Sequence, residues 1–85
     1  MGLSKNGMIM KIYVSIGMFS DNDEPDISCF KDKQECLIYI HDQVDTYAED
    51  YGCDKNDIIT EDESCSVVTP QGHEITYVCR ECILC

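Results

Sequence analysis

One stretch of this 85-residue chain repeats its apolar residues at helical intervals, and the rest must fold around it. In Asp32–Gly52, DKQECLIYIHDQVDTYAEDYG, the residues Cys36, Leu37, Ile40, Val44, Tyr47, Ala48 and Tyr51 fall within about 120° at about 100° per residue, the width of a core-facing stripe. Asp42, Asp45 and Glu49 gather on the opposite side. Asp32 with Glu35 three residues on has the form of a capping box, and Gly52 suits a left-handed stop. The spacing predicts a helix over residues 32–51 with one apolar and one acidic face. Such a stripe needs a second layer to cover it, and the flanking segments must supply that layer.

Both flanks read as strands. Residues 1–7 form a loose arm, after which Met8, Met10, Ile12, Val14, Ile16 and Met18 alternate with Ile9, Lys11, Tyr13, Ser15 and Gly17. Methionines on such a strand are expected to fill a core. The acidic run SDNDEPD, residues 20–26, reads as a loop, and Ile27 to Phe30 as a second strand, giving a hairpin over residues 8–30. After Gly52 comes an acidic loop, residues 53–63, with Ile58 and Ile59 pinned to the core. A second hairpin over residues 64–79 is expected around Thr69-Pro70-Gln71-Gly72, where proline suits the second turn position and glycine the fourth. A cysteine-bearing tail, residues 80–85, ends the chain. The expected fold is a single α+β domain in the order β-β-α-β-β, two antiparallel hairpins forming one sheet with a single helix packed across it. A chain of this length buries only about 60–65% of its unfolded surface; its 44% hydrophobic content lets it fold alone, and a homodimer or a bound metal could supplement the thin core.

Charge bears most directly on function. Seventeen acidic residues against six basic ones give a net charge of −11. That field repels nucleic acid and anionic membranes and attracts basic surfaces. The acids come in three groups: Asp42, Asp45 and Glu49 on the helix; Asp21, Asp23, Glu24 and Asp26 before it; and Asp54, Asp57, Glu61, Asp62 and Glu63 after it. On the helix, intervals of three and four residues space the carboxylates by about 4.5 and 6 Å along the axis, and carboxylates so spaced can occupy sites on a partner shaped for DNA phosphates, whose charges recur about every 3.4 Å per strand. In composition and spacing the chain is similar to phage and mobile-element proteins, anti-restriction and anti-CRISPR proteins among them, that block nucleases by presenting a nucleic-acid-like surface. That resemblance implies a small cytoplasmic inhibitor, acting in the host-cell cytoplasm if phage-encoded, whose partner is a basic protein such as a nucleic-acid-binding enzyme or complex.

The seven cysteines carry the alternative. The amino terminus MGLSKNG lacks the apolar run of a signal peptide, so reduced thiols in a cytoplasmic setting are expected. Nor does any apolar run reach the 18 or so residues that a membrane span needs. Cys79-Arg80-Glu81-Cys82-Ile83-Leu84-Cys85 places three thiols at intervals that suit tetrahedral zinc, with Cys65, Cys53 or His73 as the fourth ligand. On that reading the protein is a zinc-stabilised adaptor held by Cys79, Cys82, Cys85 and Cys65; on the acidic reading it needs no cofactor. Neither acidic run fits a calcium loop, since Pro25 and Asp26 fall where an oxygen ligand and a glycine belong. His41 at the edge of the helical stripe and His73 after the hairpin turn specify no nucleophile–base pair, so the chain reads as non-catalytic.

Overall fold

Helix α1 spans Lys33–Asp50, close to its predicted bounds. The Asp32 carboxylate caps it by accepting the Gln34 N–H at 3.0 Å, so the cap works through the second helical residue and not through the expected Glu35 box. At the other end Gly52 adopts φ 75°, and the Gly52 and Cys53 N–H groups donate to the Glu49 and Ala48 carbonyls. The left-handed turn thus satisfies two carbonyls that the helix leaves open. Cys36, Ile40, Val44 and Ala48 form the buried line of the stripe, with Leu37 and Tyr47 half-covered beside it.

The computed structural model describes residues 10–84, so the arm expected at residues 1–7, the start of the first strand and Cys85 lie outside the described residues. One antiparallel sheet supplies the second layer: β1 (Met10–Phe19), β2 (Asn22–Phe30), β3 (Ile59–Thr60), β4 (Ser64–Val68) and β5 (Glu74–Leu84), in the spatial order β2-β1-β5-β4-β3. This is the expected α+β arrangement of two hairpins and one helix, with the short β3 added at one edge within the expected loop; there Ile58 packs against the core, but Ile59, paired with Ser66 on the outer face, is exposed and not pinned to the core as expected. The Pro70–Gly72 turn closes the second hairpin, with the Thr69 N–H donating to the His73 carbonyl at 2.8 Å and Gly72 at φ 91°.

Two boundaries differ from expectation. Residues 22–26 are strand, not loop, leaving only Ser20 and Asp21 to turn the first hairpin. Pro25 fits there because β2 is an edge strand, where a missing N–H costs no ladder bond. Residues 80–84 are strand, not tail: β5 runs on to pair Arg80 through Leu84 with Val14 through Met10. Pairing satisfies the backbone groups of both segments, which a free tail leaves to water.

A third difference concerns which side of β1 faces the helix. Tyr13, Ser15, Gly17 and Phe19 face α1, while Met10, Ile12, Val14, Ile16 and Met18 face away, on the side shared with Ile27 and Val78. The expectation that the described methionines of this strand fill the core is therefore corrected. The reason is Tyr77, fully buried opposite Gly17. Its ring lies so close over the glycine that a Cβ there would stand 2.4 Å from Cζ. Phe19 and Tyr39 meet the ring edge-on at 5.9 and 6.3 Å, and its hydroxyl donates to Asp26 at 2.8 Å. Such a ring can occupy the helix–sheet interface only over a residue without a side chain.

A candidate acidic interface

The structure sorts the three acidic groups. On the exposed side of α1, Asp42, Asp45 and Glu49 project to solvent. Against the amino-terminal half of that face stands the tight turn from β3 to β4. The Glu61 N–H donates to the Ser64 carbonyl at 2.9 Å, and the Ser64 hydroxyl donates to the Glu61 carboxylate at 3.2 Å. A hollow between helix and turn is lined by Gln34, Leu37, Ile38, His41, Asp42, Glu61 and Asp62. The same turn borders a second hollow with Ser64, Val78, Cys79 and Arg80. Asp42 thus meets the turn acids Glu61 and Asp62 on one flank, although some twenty residues separate them in sequence.

Asp45 follows Asp42 on the exposed side of α1 and lines neither hollow. Burial pushes the Cys65 thiol on β4 up, a contact with the Thr60 hydroxyl opposes that, and the Asp45 charge adds to the rise. Glu63 is partly answered, because Lys33 Nζ lies 3.1 Å from its carboxylate. The hydrogen bond to Glu63, and then its charge, raise the Lys33 ammonium pKa. Both side chains are about half exposed, so the pair orients the turn more than it stabilises the fold. Glu61 and Asp62 reach past it into both hollows.

The earlier acids sit elsewhere. Asp21, Asp23 and Glu24 lie at the β1–β2 corner, on the opposite edge of the sheet from β3, about 19 Å away across four strand spacings. Asp21 faces His73 at 3.7 Å. Asp26 is engaged within the fold: its Oδ2 accepts from Tyr77 at 2.8 Å and from Tyr39 at 3.1 Å. Asp54 and Asp57 cap the short 3-10 turn Lys55–Asp57, each accepting a backbone N–H within that turn.

The cysteines separate in the same way. Cys79 and Cys82 stand three places apart on an extended strand and so point to opposite faces of the sheet. Cys79 is buried against α1, and Cys82 pairs with Ile12 on the far face. A Cys-x-x-Cys segment must curl to bring two thiols onto one metal; here ladder pairing holds it straight. Cys65 lies in the core with Cys79, and Cys85 lies outside the described residues. Among the described residues no three His, Cys, Asp or Glu side chains stand together as a metal-binding group. Burial, and then the contact with Cys79, push the Cys36 thiol up to about 12, so it stays protonated near neutrality.

Sequence reasoning missed the basic residues that border the flank, Lys33 and Arg80, because nothing in their spacing ties them to Glu61–Glu63. No described helix is long and apolar enough to cross a membrane. No protein-family model, curated protein or solved structure matches the chain, so its residues and their geometry carry the functional argument.

Proposed function

We propose that this chain is a non-catalytic, cytoplasmic interaction protein that binds a basic surface on a nucleic-acid-binding protein through the flank of Asp42, Glu61 and Asp62, with Asp45 and Glu49 extending it along α1. The carrying observation is the convergence of Asp42 with the turn acids Glu61 and Asp62 on a common hollow. Supporting it is the net charge of −11, which favours encounter with a cationic partner and disfavours nucleic acid itself. The mode of action is occupation of a phosphate-binding surface, as in phage anti-restriction and anti-CRISPR inhibitors. Asp26 takes no part in it, being committed to Tyr77 and Tyr39.

Affinity capture from a bacterial lysate tests this with two charge reversals of equal size. One bait carries Asp42→Lys, Glu61→Lys and Asp62→Lys; the other carries Asp21→Lys, Asp23→Lys and Glu24→Lys. The expected result is a partner retained by the wild type and the second bait, lost by the first, and released by a short DNA duplex. It should also be released at about 1 M salt, where the Debye length falls to about 3 Å. Equal loss from both baits would mean that net charge alone governs binding and that the flank is not the site.

A further inference from the structure

The sheet has two faces and the fold covers one. Across from α1 lies a surface built from alternate residues of all five strands, and its apolar members remain open: Met18 is 48% exposed, Ile27 58%, Ile59 61% and Val68 54%. Between them run Ile16 and Val78, paired across β1 and β5 at the centre. Among the described residues the single long helix packs on the opposite face, and no described element lies behind this one.

We propose that this face is covered by a second copy of the same chain, packed sheet against sheet about a two-fold axis. Area is the first argument. Five strands about 4.8 Å apart, averaging about seven residues at about 3.4 Å each, present about 600 Å² per copy. Two copies bury about 1,200 Å², the lower bound of stable interfaces, and more once side-chain relief is counted. Charge is the second argument. Apart from the acids at the β1–β2 corner, the charged strand residues of this face are Glu74 and Arg80, three places either side of Tyr77 on β5. A two-fold axis near that midpoint sets Arg80 of one copy against Glu74 of the other, and Glu74 against Arg80, as an isologous interface requires. The hollow of Asp42, Glu61 and Asp62 lies on the helix side, so assembly leaves it free, while the second hollow, which includes Val78 and Arg80, meets the edge of the proposed interface.

Sedimentation equilibrium on the full chain at about 100 μM tests this, in the concentration range where interfaces of modest size saturate. The expected mass is twice the 9.7 kDa of one chain. Because each copy carries −11, association should strengthen with added salt, opposite in sign to capture of a basic partner; the two proposals therefore fail separately. Met18→Glu with Ile27→Lys should give a monomer with unchanged far-UV circular dichroism. Should that variant unfold, the charge swap decides: Arg80→Glu alone weakens the dimer roughly tenfold, and Arg80→Glu with Glu74→Arg restores it. A wild-type monomer at this concentration overturns the proposal, whether residues 1–9 or another protein then cover the face. So does a dimer that survives both changes to the face.

Discussion

Replacing Gly17 with alanine tests the packing on which the whole helix–sheet interface rests. At an ordinary strand position alanine is favoured over glycine by about 0.5–1 kcal/mol, so even the sign is informative. Here the new Cβ would stand 2.4, 2.5 and 2.9 Å from three atoms of the Tyr77 ring, against an ordinary carbon–carbon contact of about 3.5 Å or more. The ring must retreat by about 1 Å, yet Phe19, Tyr39 and Tyr47 already pack around it. Overpacking of this kind costs about 1–3 kcal/mol. Pulling the hydroxyl away from Asp26 forfeits a bond to a charged acceptor, about 1.5–3 kcal/mol. The net expectation is a loss of about 2–5 kcal/mol, a large fraction of the roughly 4–13 kcal/mol available to a chain of this length. Urea unfolding followed by far-UV circular dichroism reads it as a midpoint lowered by about 2 M or more, at a slope near 1 kcal/mol per M. In a Tyr77→Leu background the same substitution should cost at least about 1 kcal/mol less, since the obstructing ring is gone. A change below about 0.5 kcal/mol in the wild-type background would refute the stacking of Tyr77 on Gly17.

Asp26→Ala should cost about 2 kcal/mol by stranding the Tyr77 and Tyr39 hydroxyls, whereas Asp23→Ala should stay within about 0.5 kcal/mol; equal urea midpoints for the two variants would contradict the role assigned to Asp26. Alkaline pH should weaken the fold from about pH 8.5 upward. Burial, and then the contact with Cys79, hold the Cys36 thiol up at about 12, while an unfolded thiol ionises near 8.5. A raised folded-state pKa makes its contribution complete below the unfolded value and loses it as pH rises towards the folded one. Between about pH 8.5 and 12 the unfolded chain therefore sheds a proton that the folded chain keeps, and stability falls by about 1.4 kcal/mol per pH unit for this group. Burial raises Tyr77 in the same direction, adding a second slope above about pH 10. Urea midpoints from pH 8 to 10 should decline less steeply in Cys36→Ala than in the wild type, and parallel declines would show that this thiol is not the cause.

The local elements were legible because each is written in a short-range pattern. The 3.6-residue recurrence of Cys36, Ile40, Val44 and Ala48, stopped at Gly52, marks the helix, and the Pro70–Gly72 turn marks the second hairpin. Other features depended on pairing between distant segments. Residues 22–26 and 80–84 look like loop and tail alone, and become strands because β1 offers both its edges. Separation of Cys79 from Cys82 follows from the same pairing, as does the distance between the two acidic loops at opposite edges of the sheet.

What the sequence by itself determined is the helix and the two hairpins, the existence of two faces on each, and a net charge of −11. Only the tertiary structure decided which face of β1 turns inward. Alternation makes the aliphatic side of that strand the more hydrophobic one, yet the helix covers the side that carries Gly17, because the Tyr77 ring needs a residue with no side chain beneath it. That steric requirement couples positions sixty residues apart, and no local periodicity encodes it. It leaves the aliphatic face open for a second copy and brings Asp42 beside Glu61 and Asp62 on the covered side.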